Sequence, residues 1–279
     1  MVKPLPVLLQ YLLPKQALTA LAGKLAAAKA GAMTTSVIRW FVGQYRVDMS
    51  EAAESNVTRY ETFNDFFTRS LKAGVRPIAN AALVCPVDGA ISQCGPLDGE
   101  QLLQAKGHAY STAALVGGDR SLGAQFTNGH FATIYLSPRD YHRIHMPCDG
   151  QLTRMIYVPG ALFSVNPTTA QHVPGLFARN ERVVCVFESA HGPFVMVLVG
   201  ATIVGSMATV WHGVVNATRT GQTREWHYDA SAVSLPKGAE MGRFLLGSTV
   251  VLLFPQGRAD FPSDWQPARA VRMGEVMSR

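Results

Sequence analysis

The sequence predicts an α+β protein, with N-terminal helices followed by a mostly antiparallel, curved β-rich body. Three observations carry that expectation. Residues 1–47 hold helix-favouring apolar runs with six cations and no acid, the first carboxylate being Asp48. From about Val84 the texture changes to short β-rich runs punctuated by Gly and Pro. No glycine fingerprint of a nucleotide-binding βαβ unit interrupts them.

In chain order, residues 5–13 (LPVLLQYLL) are apolar but short, and Pro4, Pro6 and Pro14 bracket or interrupt them. A signal peptide fits poorly, because Lys15 and Lys24 follow the apolar run before any cleavage site. Residues 16–33 favour helix, with Leu18, Leu21 and Leu25 at 3–4 spacing. Residues 36–46 set Trp40, Phe41 and Tyr45 between Arg39 and Arg46. Apolar and aromatic side chains interleaved with cations suit a helix lying on an anionic bilayer; the alternative is a helical hairpin packed on the protein's own body. After a polar stretch at 48–55, a helix is expected over Tyr60–Leu71, with Phe63, Phe66, Phe67 and Leu71 on one face. Strands are expected at 133–137, 155–160, 183–189, 194–207 and 244–254. The turn Pro86–Ser92 is echoed at Pro147–Thr153, each an Asp-Gly feeding a strand. The expected division is a basic amphipathic membrane-associating region, 1–47, and a β-rich catalytic domain, 48–279.

The charge arithmetic agrees with that division. The chain has 279 residues, 25 Lys+Arg and 19 Asp+Glu, and a net charge of +6. Outside the first 47 residues, 19 cations meet 19 anions. One basic end on a neutral body argues against a nucleic-acid-coating protein. A hydrophobic content of 48% excludes a disordered chain. Four scattered cysteines without a C-x-x-C suggest reduced thiols rather than a disulfide framework. No run reaches the roughly 18 apolar residues of a spanning helix.

Three segments point to chemistry. CPVDG sets Asp88 on a turn before a strand. SPRDYHRIHMPCDG, 137–150, places two histidines three residues apart among Arg139, Asp140, Tyr141, Arg143 and Asp149. Leu246-Gly247-Ser248-Thr249 interrupts an otherwise apolar run. His142, His145 and Cys148 at i, i+3 and i+6 suggest zinc, but Pro147 disfavours the continuous helix that would align them. The other option is acid–base work, with a carboxylate holding an imidazole tautomer. In the third segment, a Ser hydroxyl can attack the carbonyl of its own preceding residue when the backbone is strained. Gly there permits the dihedrals, and a His would take the proton. The structural alternative for that Gly is a β-bulge or a tightly packed crossing.

VDG at 87–89, SPRDYHRIHMP at 137–147, LFSVNP at 162–167 and KGAEMGRFLLGSTVVLLFP at 237–255 resemble phosphatidylserine decarboxylase, the membrane-associated bacterial type with an LGST processing site. The FNDFFTR run at 63–69 is similar to that family too, and the likeness runs in order from about residue 60 onward. It implies a proenzyme cut between Gly247 and Ser248 into a β chain, 1–247, and an α chain, 248–279. Ser248 would attack the Gly247 carbonyl, with His145 as base and Asp88 orienting it. The resulting ester eliminates the Gly247 carboxylate, and tautomerisation and loss of ammonia leave a covalent pyruvoyl cofactor (pyruvate from Ser248), with no metal and no pyridoxal phosphate. A Schiff base to that group would decarboxylate phosphatidylserine to phosphatidylethanolamine, with His142 serving this stage. Ser164 and the Val165 amide would hold the lipid phosphate. The resemblance further implies a homodimer of processed protomers, peripheral on the cytoplasmic side of the cell membrane. Asp149 competes with Asp88 for His145, being nearer in sequence. The remaining alternatives are a zinc hydrolase and a non-catalytic membrane-surface module.

Overall fold

The computed structural model describes residues 3–203, 206–217, 219–229, 232–246 and 248–278, with the backbone alone for Ser248. Three helices open the chain: α1 (Leu5–Leu12), α2 (Lys15–Ala26) and α3 (Ala32–Tyr45). The prolines around the first apolar run start a helix rather than prevent one. A proline in the first turn has a pre-set φ and gives up no helical hydrogen bond. The 16–33 run divides because the chain leaves α2 at Ala26 and turns at Gly31, whose φ of +57° favours glycine.

The expected helix over 60–71 is only α4 (Phe63–Phe67). Thr62 and Asp65 close a capping box at its start. The chain departs after Thr68 because Leu71 bridges to Ala52. Phe66 and Phe67 form a third, small core with Ile38 of α3 and Val47, against which Phe41, Phe63 and Leu246 pack.

Seventeen strands follow among the described residues: β1 (Leu83–Val84), β2 (Gly89–Pro96), β3 (Gln101–Leu103), β4 (Ala109–Ser111), β5 (His130–Leu136), β6 (Arg143–His145), β7 (Gly150–Val158), β8 (Arg182–Glu188), β9 (Phe194–Val199), β10 (Met207–Thr209), β11 (Gly213–Val214), β12 (Arg224–His227), β13 (Ser234–Leu235), β14 (Glu240–Phe244), β15 (Ser248–Phe254), β16 (Ala270–Val271) and β17 (Val276–Ser278). The main sheet runs β12-β7-β8-β9-β15-β5-β2-β16, with β13 also on β7; a smaller one runs β11-β10-β14-β6. These strand pairings are antiparallel, so the α+β expectation holds. The two Asp-Gly turns do feed strands, β2 and β7.

Strand β15 sits at the centre of the main sheet and is apolar on both faces. Val250, Leu252 and Phe254 enter one core with Ile134, while Val251 and Leu253 enter the other with Phe131. A strand covered on both sides needs a continuous apolar run, which is what TVVLLF supplies. The 244–254 run is therefore not one strand. It is the crossing from β14 in the small sheet to β15 in the main one, and the polar interruption marks the change of sheet.

Candidate active site

The register of β15, β5 and β2 brings three segments to one end of the sheet. Ser248 pairs with Leu136, while Thr249 and Ala90 pair with Tyr135 from opposite sides. The first residue of β15, the end of β5 and the Asp88-Gly89 start of β2 thus lie within two strand spacings, about 10 Å. Gly89 is required by this closeness, since a Cβ there would sit 2.4 Å from the Tyr135 carbonyl oxygen. The small sheet adds the histidines. His145 ends β6, which pairs with β14, and β14 leads directly to Ser248. Gly247 lies outside the described residues.

A cavity of about 430 Å³ opens at this end, lined among others by Asp88, Gly89, Tyr135, Ser137, Asp140 and Tyr141. Asp88 is 7% exposed. Its carboxylate accepts from the Met273 amide at 2.9 Å and from Arg76, Nη2 to Oδ2 at 2.6 Å and Nε at 3.0 and 3.1 Å. Arg76 also donates to Glu51 at 2.6 Å. Burial alone would lower the Arg76 pKa, but the two carboxylates raise it overall, so the guanidinium stays charged.

His145 is 9% exposed, and both its ring nitrogens are engaged. Nδ1 lies 2.8 Å from the Gly238 carbonyl oxygen, which can only accept, so Nδ1 carries the proton. Nε2 then accepts from the Tyr141 hydroxyl at 3.0 Å. Burial pushes the Tyr141 pKa up to about 12, keeping the phenol a donor. Burial also lowers the His145 pKa, with the Gly238 bond and the charge of Glu240 acting against it. Neither carboxylate expected on His145 makes that bond: Asp88 is held by Arg76 and Met273, and Asp149 accepts from the Lys237 amide at 2.7 Å. Here the orienting partner is the Gly238 carbonyl, carried on a turn with φ of +79°.

His142 is wholly buried and packs against Phe67, ring centroids 4.0 Å apart and the planes tilted by 39°. Its Nδ1 donates to the Asp140 carbonyl at 2.8 Å, which leaves Nε2 a buried acceptor without a partner. Burial, assisted by the charge of Arg69, pushes its pKa down to about 3. The ring is a neutral base with its lone pair free. The FNDFFTR segment is the wall behind it: Phe67 packs against the ring, Thr68 O accepts from Arg143 at 2.8 Å, and Arg69 donates to the Arg139 carbonyl at 3.2 Å.

Ser164 and Val165 lie on a different loop. The Ser164 amide donates to Gln10 Oε1 of α1 at 2.8 Å, and Val165 is buried. Pro167, two residues on, lines the cavity. Among the described residues no three His, Cys, Asp or Glu side chains are grouped to hold a metal ion, so His142, His145 and Cys148 do not form the zinc set. Sequence reasoning missed Arg76, Arg69 and Gly238. The FFTR run signalled Arg69, whereas a backbone carbonyl has no signature in residue type.

The family model described as phosphatidylserine decarboxylase matches residues 63–279, and a second, described as PSD, matches 5–46. The phosphatidylserine decarboxylase proenzyme of Dechloromonas aromatica is 71% identical over 273 residues, covering 98% of this chain and 97% of that protein. Those of Herminiimonas arsenicoxydans and Albidiferax ferrireducens are 69% and 70% identical over 275 residues, covering 99% of this chain and 94% and 97% of theirs. With matches spanning nearly its whole length, the chain belongs to the phosphatidylserine decarboxylase family.

Proposed function

We propose that the chain is a proenzyme that cuts itself between Gly247 and Ser248 and then decarboxylates phosphatidylserine to phosphatidylethanolamine. The observation that carries this reading is the shared end of β15, β5 and β2, where the Ser248 backbone and the Asp88-Gly89 turn lie within two strands of each other, beside a cavity lined by Asp88 and by Tyr141, the hydrogen-bond partner of His145.

In the self-cleavage, the Ser248 hydroxyl attacks the Gly247 carbonyl and the amide C–N bond breaks, giving an ester. His145 is the base: Gly238 sets its tautomer, and its Nε2, occupied by the Tyr141 hydroxyl, takes the proton through that contact. Asp88 acts through its charge, which favours the protonated imidazole without a direct bond. Loss of the Ser248 α-proton expels the Gly247 carboxylate; tautomerisation and hydrolysis with release of ammonia leave the pyruvoyl group. That group supplies a carbonyl that takes the substrate amine and accepts the electrons CO₂ leaves behind. A buried neutral base fits it, and the unpartnered Nε2 of His142 is that base. His142 takes the proton that the substrate ammonium must lose to become a nucleophile and delivers it to the substrate Cα once CO₂ has left.

The N-terminal region, 1–47, is the membrane-associating part. Its helices rest on the body by one side, with Val7 and Ile38 buried, and expose Leu12, Leu21, Leu25 and Trp40 on the other. Among the described residues no helix is long and apolar enough to cross a membrane. Exposed leucines beside six cations suit peripheral attachment to an anionic, cytoplasmic leaflet. Ser164 and the Val165 amide hold the lipid phosphate once Gln10 yields the Ser164 amide. The processed protomers pair as a homodimer.

Carboxyl-labelled phosphatidylserine in vesicles tests the reading. Purified protein should release labelled CO₂ and form phosphatidylethanolamine in equal amounts, and Ser248→Ala should do neither. Equal CO₂ release by Ser248→Ala would overturn it.

A further inference from the structure

The buried arginines of this chain are satisfied in different ways. Arg182, 3% exposed, donates to the carbonyls of Leu115, Asn180 and Ala114. Arg76 carries the carboxylates of Asp88 and Glu51. Arg69, 5% exposed, has neither solution. Its one hydrogen bond is Nη2 to the Arg139 carbonyl at 3.2 Å, while Nε and Nη1 are buried without partners. No carboxylate forms an ion pair with it among the described residues, although the charges of Asp88, Asp140 and Glu51 are felt at longer range. The Phe66 ring, 5.5 Å from the guanidinium carbon, covers a face of the group but accepts nothing from its in-plane N–H bonds.

A buried cation with two idle donors is costly unless an anion joins it. Arg69 lines the 430 Å³ cavity with Arg139, Asp140 and Tyr141, and its charge reaches the buried His142 ring behind them. A buried guanidinium with two unpartnered donors at the edge of a cavity describes a receptor for an anion absent from the polypeptide.

We propose that Arg69 is the cationic half of an oxyanion site in the cavity, binding a singly charged oxyanion of the substrate headgroup. The inference deepens the reading of this cavity as the decarboxylase site and rests on it. The headgroup of phosphatidylserine carries two such oxyanions, the phosphodiester and the carboxylate, and a planar guanidinium fits either through paired N–H bonds. The sources differ in consequence. A cation held on the carboxylate stabilises the charge that decarboxylation must remove and so opposes the chemical step; one held on the phosphodiester binds ground and transition states alike.

The test uses processed enzyme and short-chain phosphatidylserine, with glycerophosphoethanolamine (phosphodiester only) and L-serine (carboxylate only) as competing probes. In Arg69→Gln, KM should rise about tenfold or more, and the inhibition constant of one probe should rise with it, naming the oxyanion bound. Arg69→Lys should recover part of the loss, because it restores charge without the planar fork. Unchanged KM and unchanged inhibition by both probes in cleaved Arg69→Gln would overturn the oxyanion site and leave the decarboxylase reading standing. Absence of turnover by the unsubstituted enzyme would instead remove the reading itself. Should the Arg69 variants fail to cleave, thermal stabilisation by the two probes is compared in uncleaved Ser248→Ala with and without Arg69→Gln. Stabilisation of the unsubstituted background lost in Arg69→Gln supports the site; equal shifts in the two proteins overturn it.

Discussion

The side chain of Gln10 accepts a hydrogen bond from the backbone amide of Ser164 at 2.8 Å, joining residues 154 positions apart. The first helix is thereby fixed to the loop proposed to hold the lipid phosphate. Tyr11 packs on Phe163 at 4.9 Å, and Thr19 accepts from the Ile203 amide at 3.1 Å. The N-terminal helices and the β-rich body are thus in direct contact, and α3 covers the Phe66–Phe67 cluster behind His142.

Removing residues 1–47 should therefore damage the body as well as the anchor. The trimmed protein should lose stability and self-cleavage, because Phe66 and Phe67 would face water. The surface itself is better tested with Leu12→Ser, Leu21→Ser and Leu25→Ser, at positions 83%, 56% and 66% exposed. Sedimentation with anionic vesicles should fall sharply in the triple variant, and raised salt should weaken binding of the unsubstituted protein. Unaltered sedimentation in both cases would exclude this face as the lipid contact.

Asp88 and Arg76 form one buried unit. Asp88→Asn and Arg76→Gln should each be destabilising, since each leaves a partner unpaired. Their double variant should be less damaged than the sum by about 1 kcal/mol or more. Denaturant unfolding of the four proteins measures this coupling. Additive losses would mean that Arg76 does not support Asp88.

Leu246 has φ of +96°, a conformation that a bulky side chain rarely adopts, and it packs against the Ile38–Phe66–Phe67 cluster. Strain of this kind is on the order of 1–3 kcal/mol and lies one residue before the proposed scissile bond. Leu246→Ala keeps the strain and loses the packing, whereas Leu246→Gly loses both. Self-cleavage should be slower in Leu246→Gly than in Leu246→Ala by about tenfold. Equal rates, followed by gel over time, would assign Leu246 to packing alone.

The buried neutral state of His142 has a signature in acid. Its folded pKa is depressed to about 3 from 6.5. Between those values the unfolded chain binds more protons, so the contribution is complete above pH 6.5 and is lost as pH falls towards 3. Asp140, whose pKa burial raises above 3.8, acts in the opposite direction as pH rises through its folded value. Comparing wild type with His142→Gln isolates the histidine. The wild type should lose stability more steeply from pH 6.5 to 4.5; parallel curves would mean that the ring is not held neutral.

Much of this site was legible from local residue patterns. The Asp88-Gly89 turn, the two histidines and the Gly-Ser break in an apolar run are each local patterns, and the Asp88-Gly89 turn and Ser248 lie at the sheet end described above. What was not legible depends on contacts between distant segments. The Gly238 carbonyl orients His145 across 93 residues, and Met273 and Arg76 claim Asp88 in its place. The change of sheet between β14 and β15 could not be separated from a single interrupted strand, because both give the same apolar run. The helix at 60–71 was overread because Leu71 is apolar for a bridge to Ala52, not for a helix face.

Intact mass of the purified protein tests self-processing most directly. Two polypeptides should be found, residues 1–247 and a 32-residue fragment from Ser248 to Arg279 whose N-terminus is a pyruvoyl group, while Ser248→Ala and His145→Gln should remain single chains. A single uncut chain of full mass that still released CO₂ from phosphatidylserine would contradict the account.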